Sequence, residues 1–343
     1  MLKELLVNDD HMPELYEYDE KPLEAGLVRV RSLFGAPKHG SELTGFQYHP
    51  FRGQRYDEQA HIFKKSDETP PQGRERLGNI FVGTVTGIGN GVEGFTVGER
   101  VAGYGHLAST HTVKADELLK MPERMTWQEA VCYDPMQFAM GGLRDAHVRL
   151  GDAVLVSGLG AIGQMAAQAA KVAGASFVAV SDPIEARRKA ALENGADLAV
   201  DPAAEDFGLK LRGYTHNIGV DAVIETSANY RAIEQCLRAL AYTGNMALVG
   251  WFKHNQVTLD FGHEGHFNQQ NIFFSRACSE PNRDYPKWDF ARICRESWKL
   301  VASGRIRCGN VVHPVVDFDE CDRAYTRYII QHPEESIKLG VKF

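Results

Sequence analysis

The stretch Ala153-Val-Leu-Val-Ser-Gly158-Leu159-Gly160-Ala161-Ile162-Gly163 decides the fold. Its apolar run reads as a buried strand, and the residues from Ile162 to Val172, carrying Met165, Ala166, Ala169 and Ala170, repeat with the spacing of a helix that Gly174 stops. Glycines between a strand and a helix have separate tasks. Gly158 permits the tight turn, Gly160 lets a pyrophosphate reach backbone N–H groups at the helix N-terminus, and Gly163 lets helix and strand pack closely. The strand and helix context turns a common glycine pattern into a dinucleotide fingerprint, which Ala161 and Ile162 complete between its second and third glycines.

Working outward, Phe177-Val-Ala-Val180 predicts a second strand, and residues 184–193 a charged helix. Leu198-Ala-Val200, Asp221-Ala-Val-Ile224 and Met246-Ala-Leu-Val249 predict three more strands, with Ala232, Ile233, Cys236, Leu237 and Leu240 on a helix before the last. Repeated βαβ units require a doubly wound parallel sheet with helices on both faces. Asp182 ends the second strand about 20 residues after the fingerprint, where a carboxylate accepts both ribose hydroxyls and repels a 2′-phosphate. This predicts NAD. Arg187 and Arg188, a helical turn away, are the residue type that holds a 2′-phosphate and keep NADP open.

The chain before residue 130 has a different texture. Leu27-Val-Arg-Val-Arg-Ser32 and Phe81-Val-Gly-Thr-Val-Thr-Gly-Ile88 alternate as half-buried strands of a barrel-like sheet do. The polar stretch from about residue 51 to 76 predicts a long surface loop, a helix is expected from Phe290 to Ser303, and a closing strand from Ile337 to Val341.

The 343 residues suggest two domains. With 43% hydrophobic and 24% charged residues, the composition excludes a disordered or fibrous chain. A net charge of −7 offers no attraction for phosphate backbones or anionic lipid, so small soluble ligands are the expected partners, with neither nucleic acid nor membrane. Six scattered cysteines without a C-x-x-C pair read as buried thiols of a reducing compartment. No apolar stretch suits a signal peptide or a membrane span, and a cytoplasmic setting is expected.

The run Gly83-Thr-Val-Thr-Gly87-Ile-Gly-Asn-Gly-Val92-Glu-Gly-Phe95-Thr-Val-Gly98-Glu-Arg100-Val101, upstream of the nucleotide-binding unit, resembles the medium-chain dehydrogenase/reductase superfamily of alcohol and sorbitol-type dehydrogenases. The resemblance implies a Rossmann domain, residues 137–276, inserted into a GroES-like mainly β catalytic domain, residues 1–136 and 277–343. It also implies cofactor contacts from Asp182 and Arg187, from Val249, Gly250 and Trp251 beside the nicotinamide, and from Lys338 at the pyrophosphate. A solvated surface charge is the other reading of Lys338.

Family members commonly hold catalytic zinc through a cysteine in Cys-Gly-Ser/Thr-Asp, a histidine in Gly-His-Glu, and a cysteine or glutamate before proline. The corresponding segments here are His39-Gly40-Ser41-Glu42, Gly78-Asn79-Ile80 and Tyr133-Asp134-Pro135. That set falls short of three protein ligands, so no metal is expected. The structural four-cysteine lobe is missing as well. A site rebuilt with His49, His61, His263 or His266 is the alternative.

Without a metal, the resemblance makes His39 the general base, Ser41 the proton relay and Asp134 the carboxylate that orients the imidazole, with Lys38 a cation beside the developing alkoxide. The expected function is NAD-dependent oxidation of a secondary alcohol, such as a polyol or sugar derivative. A zinc-independent quinone or enone reductase and a non-catalytic nucleotide-binding homologue are the competing readings. Asn271-Ile-Phe-Phe-Ser275 reads as an apolar edge strand, and relatives pair such edges, so a homodimer or dimer of dimers is expected.

Overall fold

The computed structural model describes residues 1–46, 53–66, 74–204, 206–252 and 258–343, with the side chains of 44–46 left aside. It contains two compact units, residues 1–120 with 314–343, and residues 121–313.

The first unit opens with β1 (Leu2–Val7) and β2 (Pro13–Tyr18), an antiparallel pair, followed by β3 (Leu27–Ala36) and the short helix α1 (His39–Phe46). Next come β4 (Gln54–Asp57) and β5 (Ile62–Lys65), then β6 (Ile80–Ile88), β7 (Arg100–Tyr104), β8 (Thr110–Lys114) and β9 (Leu118–Lys120). Within the stretch expected to be a long loop, β4 and β5 form an antiparallel hairpin, with Tyr56 opposite Phe63. Its polar residues face solvent on both sides, which is why no apolar alternation announced it.

The second unit carries α2 (Trp127–Val131), α3 (Tyr133–Asp145), β10 (Ala153–Ser157), α4 (Ala161–Val172), β11 (Phe177–Ser181), α5 (Glu185–Glu193) and β12 (Leu198–Val200). It continues with α6 (Phe207–Tyr214), β13 (Val220–Glu225), α7 (Tyr230–Ala239), β14 (Leu240–Leu248), α8 (Glu264–Phe267), β15 (Asn271–Phe274) and α9 (Phe290–Ala302). All five strand pairs are parallel, in the order β12-β11-β10-β13-β14-β15. The order reverses direction between β10 and β13, the place where such sheets open a crevice for ligands. Leu155, Ala179, Val223 and Met246, fully buried, carry the core across the sheet.

The chain then returns to the first unit as β16 (Val312–Asp317), α10 (Cys321–Tyr325) and β17 (Lys338–Lys342). The last strand pairs antiparallel with β3, completing a sheet ordered β16-β17-β3-β6-β7-β9, with β8 also on β3. The insertion is therefore as expected in topology, but its ends differ. Packing places the breaks after Lys120 and His313 rather than at 136/137 and 276/277, because α3 packs on α4 and α9 inside the second unit. Four of the six cysteines are buried, Cys278 and Cys294 are half-buried, and all six are free thiols. Among the described residues no helix is long and apolar enough to cross a membrane.

Candidate dinucleotide and catalytic site

In the second unit, β10 ends at Ser157 and the chain turns through Gly158 at φ +85°, a conformation that favours glycine. A Cβ on Gly158 would stand 2.6 Å from the Ser227 nitrogen, and one on Gly163 would stand 1.9 Å from the Gly158 carbonyl oxygen. Gly160 is different. It caps α4 with no side-chain hydrogen bond, and a Cβ there would meet nothing within 4 Å. The N–H groups of the first turn of α4, beginning with Ala161, Ile162 and Gly163, thus face a cradle that only glycine leaves open, and the helix dipole adds partial positive charge. These residues fit a bound pyrophosphate.

Asp182, 4% exposed, lies just past β11. Its Oδ2 accepts the Leu159 N–H at 2.7 Å and its Oδ1 the Ile184 N–H at 2.8 Å. One carboxylate therefore fixes the glycine turn and the start of the following helix. Arg187 Nη1 is 3.9 Å from Asp182 Oδ2, while Arg188 donates to the Asp182 carbonyl at 2.6 Å and lies 3.3 Å from Asp201 Oδ2. Both guanidinium groups are drawn toward carboxylates.

On the other side of the crevice, β13 ends at the fully buried Glu225, and the Thr226–Ala228 turn follows. Val249 and Gly250 donate their N–H groups to the Glu225 carbonyl at 2.8 and 3.0 Å, and a Cβ on Gly250 would stand 2.6 Å from the Ala228 nitrogen. Val249 is buried, whereas Trp251 is 45% exposed. Sequence reasoning passed over Glu225. A strand ending in an acid followed by Thr-Ser was its only signal.

In the first unit, Lys38, His39 and Ser41 lie at the start of α1, with Ser41 exposed. His39 Nε2 accepts the Leu339 N–H at 3.0 Å. A neutral ring accepting at Nε2 carries its proton on Nδ1, so it can donate a hydrogen bond but has no open lone pair for a proton. This hydrogen bond occupies the Nε2 lone pair that a general-base role for His39 would use. Of the two readings of Lys338, the structure removes one. It is 3% exposed, and its ammonium donates to the Pro37 carbonyl at 3.1 Å, so it is no solvated surface charge. Lys338 and His39 thereby bind β17 to the 37–39 turn from both sides.

Glu42, on the same turn of α1, accepts the backbone N–H of Lys38, the Gly78 N–H at 3.2 Å and the Tyr325 hydroxyl at 2.9 Å. Burial raises its pKa, and these hydrogen bonds with the Lys338 charge oppose that rise. Asp134 belongs to the second unit, buried in the first turn of α3. In the first unit the described motif residues offer the His39 imidazole, whose Nε2 is already engaged, the Asn79 carboxamide and the Glu42 carboxylate, which already accepts three hydrogen bonds, a set that does not match a three-ligand zinc shell. Among the described residues no three His, Cys, Asp or Glu side chains gather as a metal site would require. His61 sits in the hairpin turn, 3.3 Å from the Tyr56 hydroxyl, and His263 pairs with Asp260 at 3.2 Å. His266 stands edge-on to Phe267, and His49 lies outside the described residues.

Comparison with known proteins places this geometry among relatives. A family model described as zinc-binding dehydrogenase matches residues 161–292. The chain is 42% identical to D-guloside 3-dehydrogenase of Escherichia coli (strain K12), over 100% of both chains. A structure described as a zinc-binding dehydrogenase from Sinorhizobium meliloti 1021 bound to NADP superposes with a TM-score of 0.79 at 18% identity, covering 100% of this chain and 99% of that one. A short chain alcohol dehydrogenase of E. coli CFT073, complexed with NADH, superposes at 0.76 and 20% identity, with 100% and 99% covered.

Proposed function

Given that the chain belongs to the medium-chain dehydrogenase/reductase superfamily, we propose that this dehydrogenase oxidises a secondary ring hydroxyl of a sugar derivative, with NAD as acceptor and no zinc at the reacting oxygen. The observation that carries the NAD reading is the buried Asp182, its carboxylate held against the glycine turn while Arg187 and Arg188 are drawn to Asp182 and Asp201. A 2′-phosphate brought there would meet a buried negative charge. The 42% identity to a glycoside 3-dehydrogenase supports the choice of a sugar hydroxyl.

When bound, the dinucleotide supplies an acceptor for the hydride leaving the carbinol carbon. The chain must then handle the hydroxyl proton and the charge developing on oxygen. Ser41, exposed on α1, receives the proton and passes it to water. The Nδ1–H of His39 donates to the same oxygen, as a neutral imidazole can, and the Lys38 ammonium stabilises its negative charge. Asp134 is the further acid on which turnover depends. The cofactor is held by the first turn of α4, by Asp182, and by the Val249-Gly250-Trp251 segment. Lys338 holds the 37–39 turn in place.

The β15 strand is last in its sheet among the described residues and carries a 74% exposed Phe274, which supports pairing of two copies there. The assay that tests the whole reading offers a panel of glycosides and polyols with NAD or NADP, alongside elemental analysis of the purified enzyme. A dominant preference for NADP, or activity that tracks stoichiometric zinc, would overturn it.

A further inference from the structure

Glu225 is buried at the carboxyl end of β13, beside the crevice, and no part of the chemistry above uses its side chain. Its Oε1 accepts the Ser227 N–H at 2.9 Å and also the Ser227 hydroxyl; its Oε2 accepts the Ala228 N–H at 3.2 Å. Its carbonyl takes the Val249 and Gly250 N–H groups. One residue therefore organises two loops, 226–228 and 249–250. Ala228 sits at φ +53°, a left-handed backbone that a non-glycine residue keeps only when its surroundings hold it there. Ser227 in turn abuts Gly158, so a shift of this loop reaches the phosphate turn.

We infer that Glu225 is a positioning residue, a latch that shapes the nicotinamide side of the groove and holds all three donors in place as a carboxylate. This inference rests on the dinucleotide reading above. The reason is donor and acceptor arithmetic. Both oxygens face donors, and an ionised carboxylate is a pure acceptor. A proton on Oε2 would confront the Ala228 N–H, and a proton on Oε1 would have to turn the Ser227 hydroxyl from donor to acceptor while crowding the Ser227 N–H. No cation pairs with this carboxylate among the described residues, and β10 and β14 present Ser157 and Leu248 beside it. From α7 it faces Cys236, whose thiol burial keeps neutral. Burial pushes Glu225 up to about 7, so the latch opens and closes across neutrality.

The test is a fluorescence titration of the full-length enzyme with NADH from pH 6 to pH 8. A group titrating near 7 is mostly protonated at pH 6 and mostly ionised at pH 8, so the wild type is expected to bind roughly tenfold more weakly at the lower pH. Glu225→Gln cannot become an acceptor-only group. Its affinity is expected to match that of the wild type at pH 6 and to stay flat. Ser227→Ala keeps the carboxylate, removes one donor and is expected to move the midpoint to higher pH, which covers the case of a Gln variant that fails to fold. A flat wild-type profile, or an unmoved midpoint in Ser227→Ala, overturns the latch while leaving the dinucleotide reading intact. Failure of the wild type to bind either NADH or NADPH at any pH overturns both.

Discussion

The Asp182 carboxylate accepts the Leu159 N–H, so one buried acid sets the shape of the glycine turn. In the proposed reading, cofactor specificity and the geometry of that turn are therefore coupled through a single side chain. Asp182→Asn keeps the volume and removes the charge, and its amide nitrogen opposes a backbone N–H. We expect kcat/KM with NAD to fall by about tenfold or more, corresponding to about 1.4 kcal/mol per decade, and the preference over NADP to shrink. Steady-state kinetics with both cofactors checks it; an unchanged ratio would remove Asp182 from cofactor selection.

Gly160 and Gly163 separate binding from folding. A Cβ on Gly160 points into open space, and the residue's φ of −66° suits alanine. Gly160→Ala should cost less than about 1 kcal/mol in stability yet weaken NADH binding about tenfold or more. Gly163→Ala forces a carbon against the Gly158 carbonyl and should lower the melting temperature directly. Melting curves and NADH titrations on the two variants are expected to diverge in this way.

Lys338 distinguishes two roles by readout. Its ammonium satisfies the buried Pro37 carbonyl, so Lys338→Met should destabilise the protein by about 1–3 kcal/mol. A residue that instead held pyrophosphate would lose cofactor affinity with stability preserved. Denaturant melts beside binding titrations decide between them.

Turnover is expected to require His39 and Asp134. His39→Ala and Asp134→Asn should each lose activity by about 100-fold or more, the order expected when a polar group at the reacting oxygen is removed, while dissociation constants for NADH stay within about threefold. If activity survives in both, the proposed chemistry fails.

Stability should depend on pH in the direction opposite to cofactor affinity. Glu225 is raised from 4.5 to about 7 by burial, so between those values the folded state keeps a proton that the unfolded chain has released. The stability this proton contributes is complete below pH 4.5 and is lost as pH rises through 7, an effect on the order of 3 kcal/mol. Comparing wild type with Glu225→Gln in denaturant melts at pH 5 and pH 8 isolates it.

The sequence alone determined the nucleotide-binding half and its glycines. A buried strand, a glycine turn and a small-residue helix are local patterns, and each declares itself through periodicity within a dozen residues. It also determined that β17 closes on the first unit, through the resemblance of the order of motifs. Tertiary structure alone decided where the breaks between units fall, because α3 joins whichever helices it packs on, and these come from α4 and α9, the latter far along the chain. It also decided the hydrogen-bond partners of His39, Lys338 and Glu225. Which nitrogen of a ring is occupied, or whether an ammonium faces water or a carbonyl, depends on backbone groups brought from elsewhere in the chain, such as Leu339 for His39 and Pro37 for Lys338. No local pattern encodes those partners, since the hydrogen bonds form only after the strands that carry them have paired.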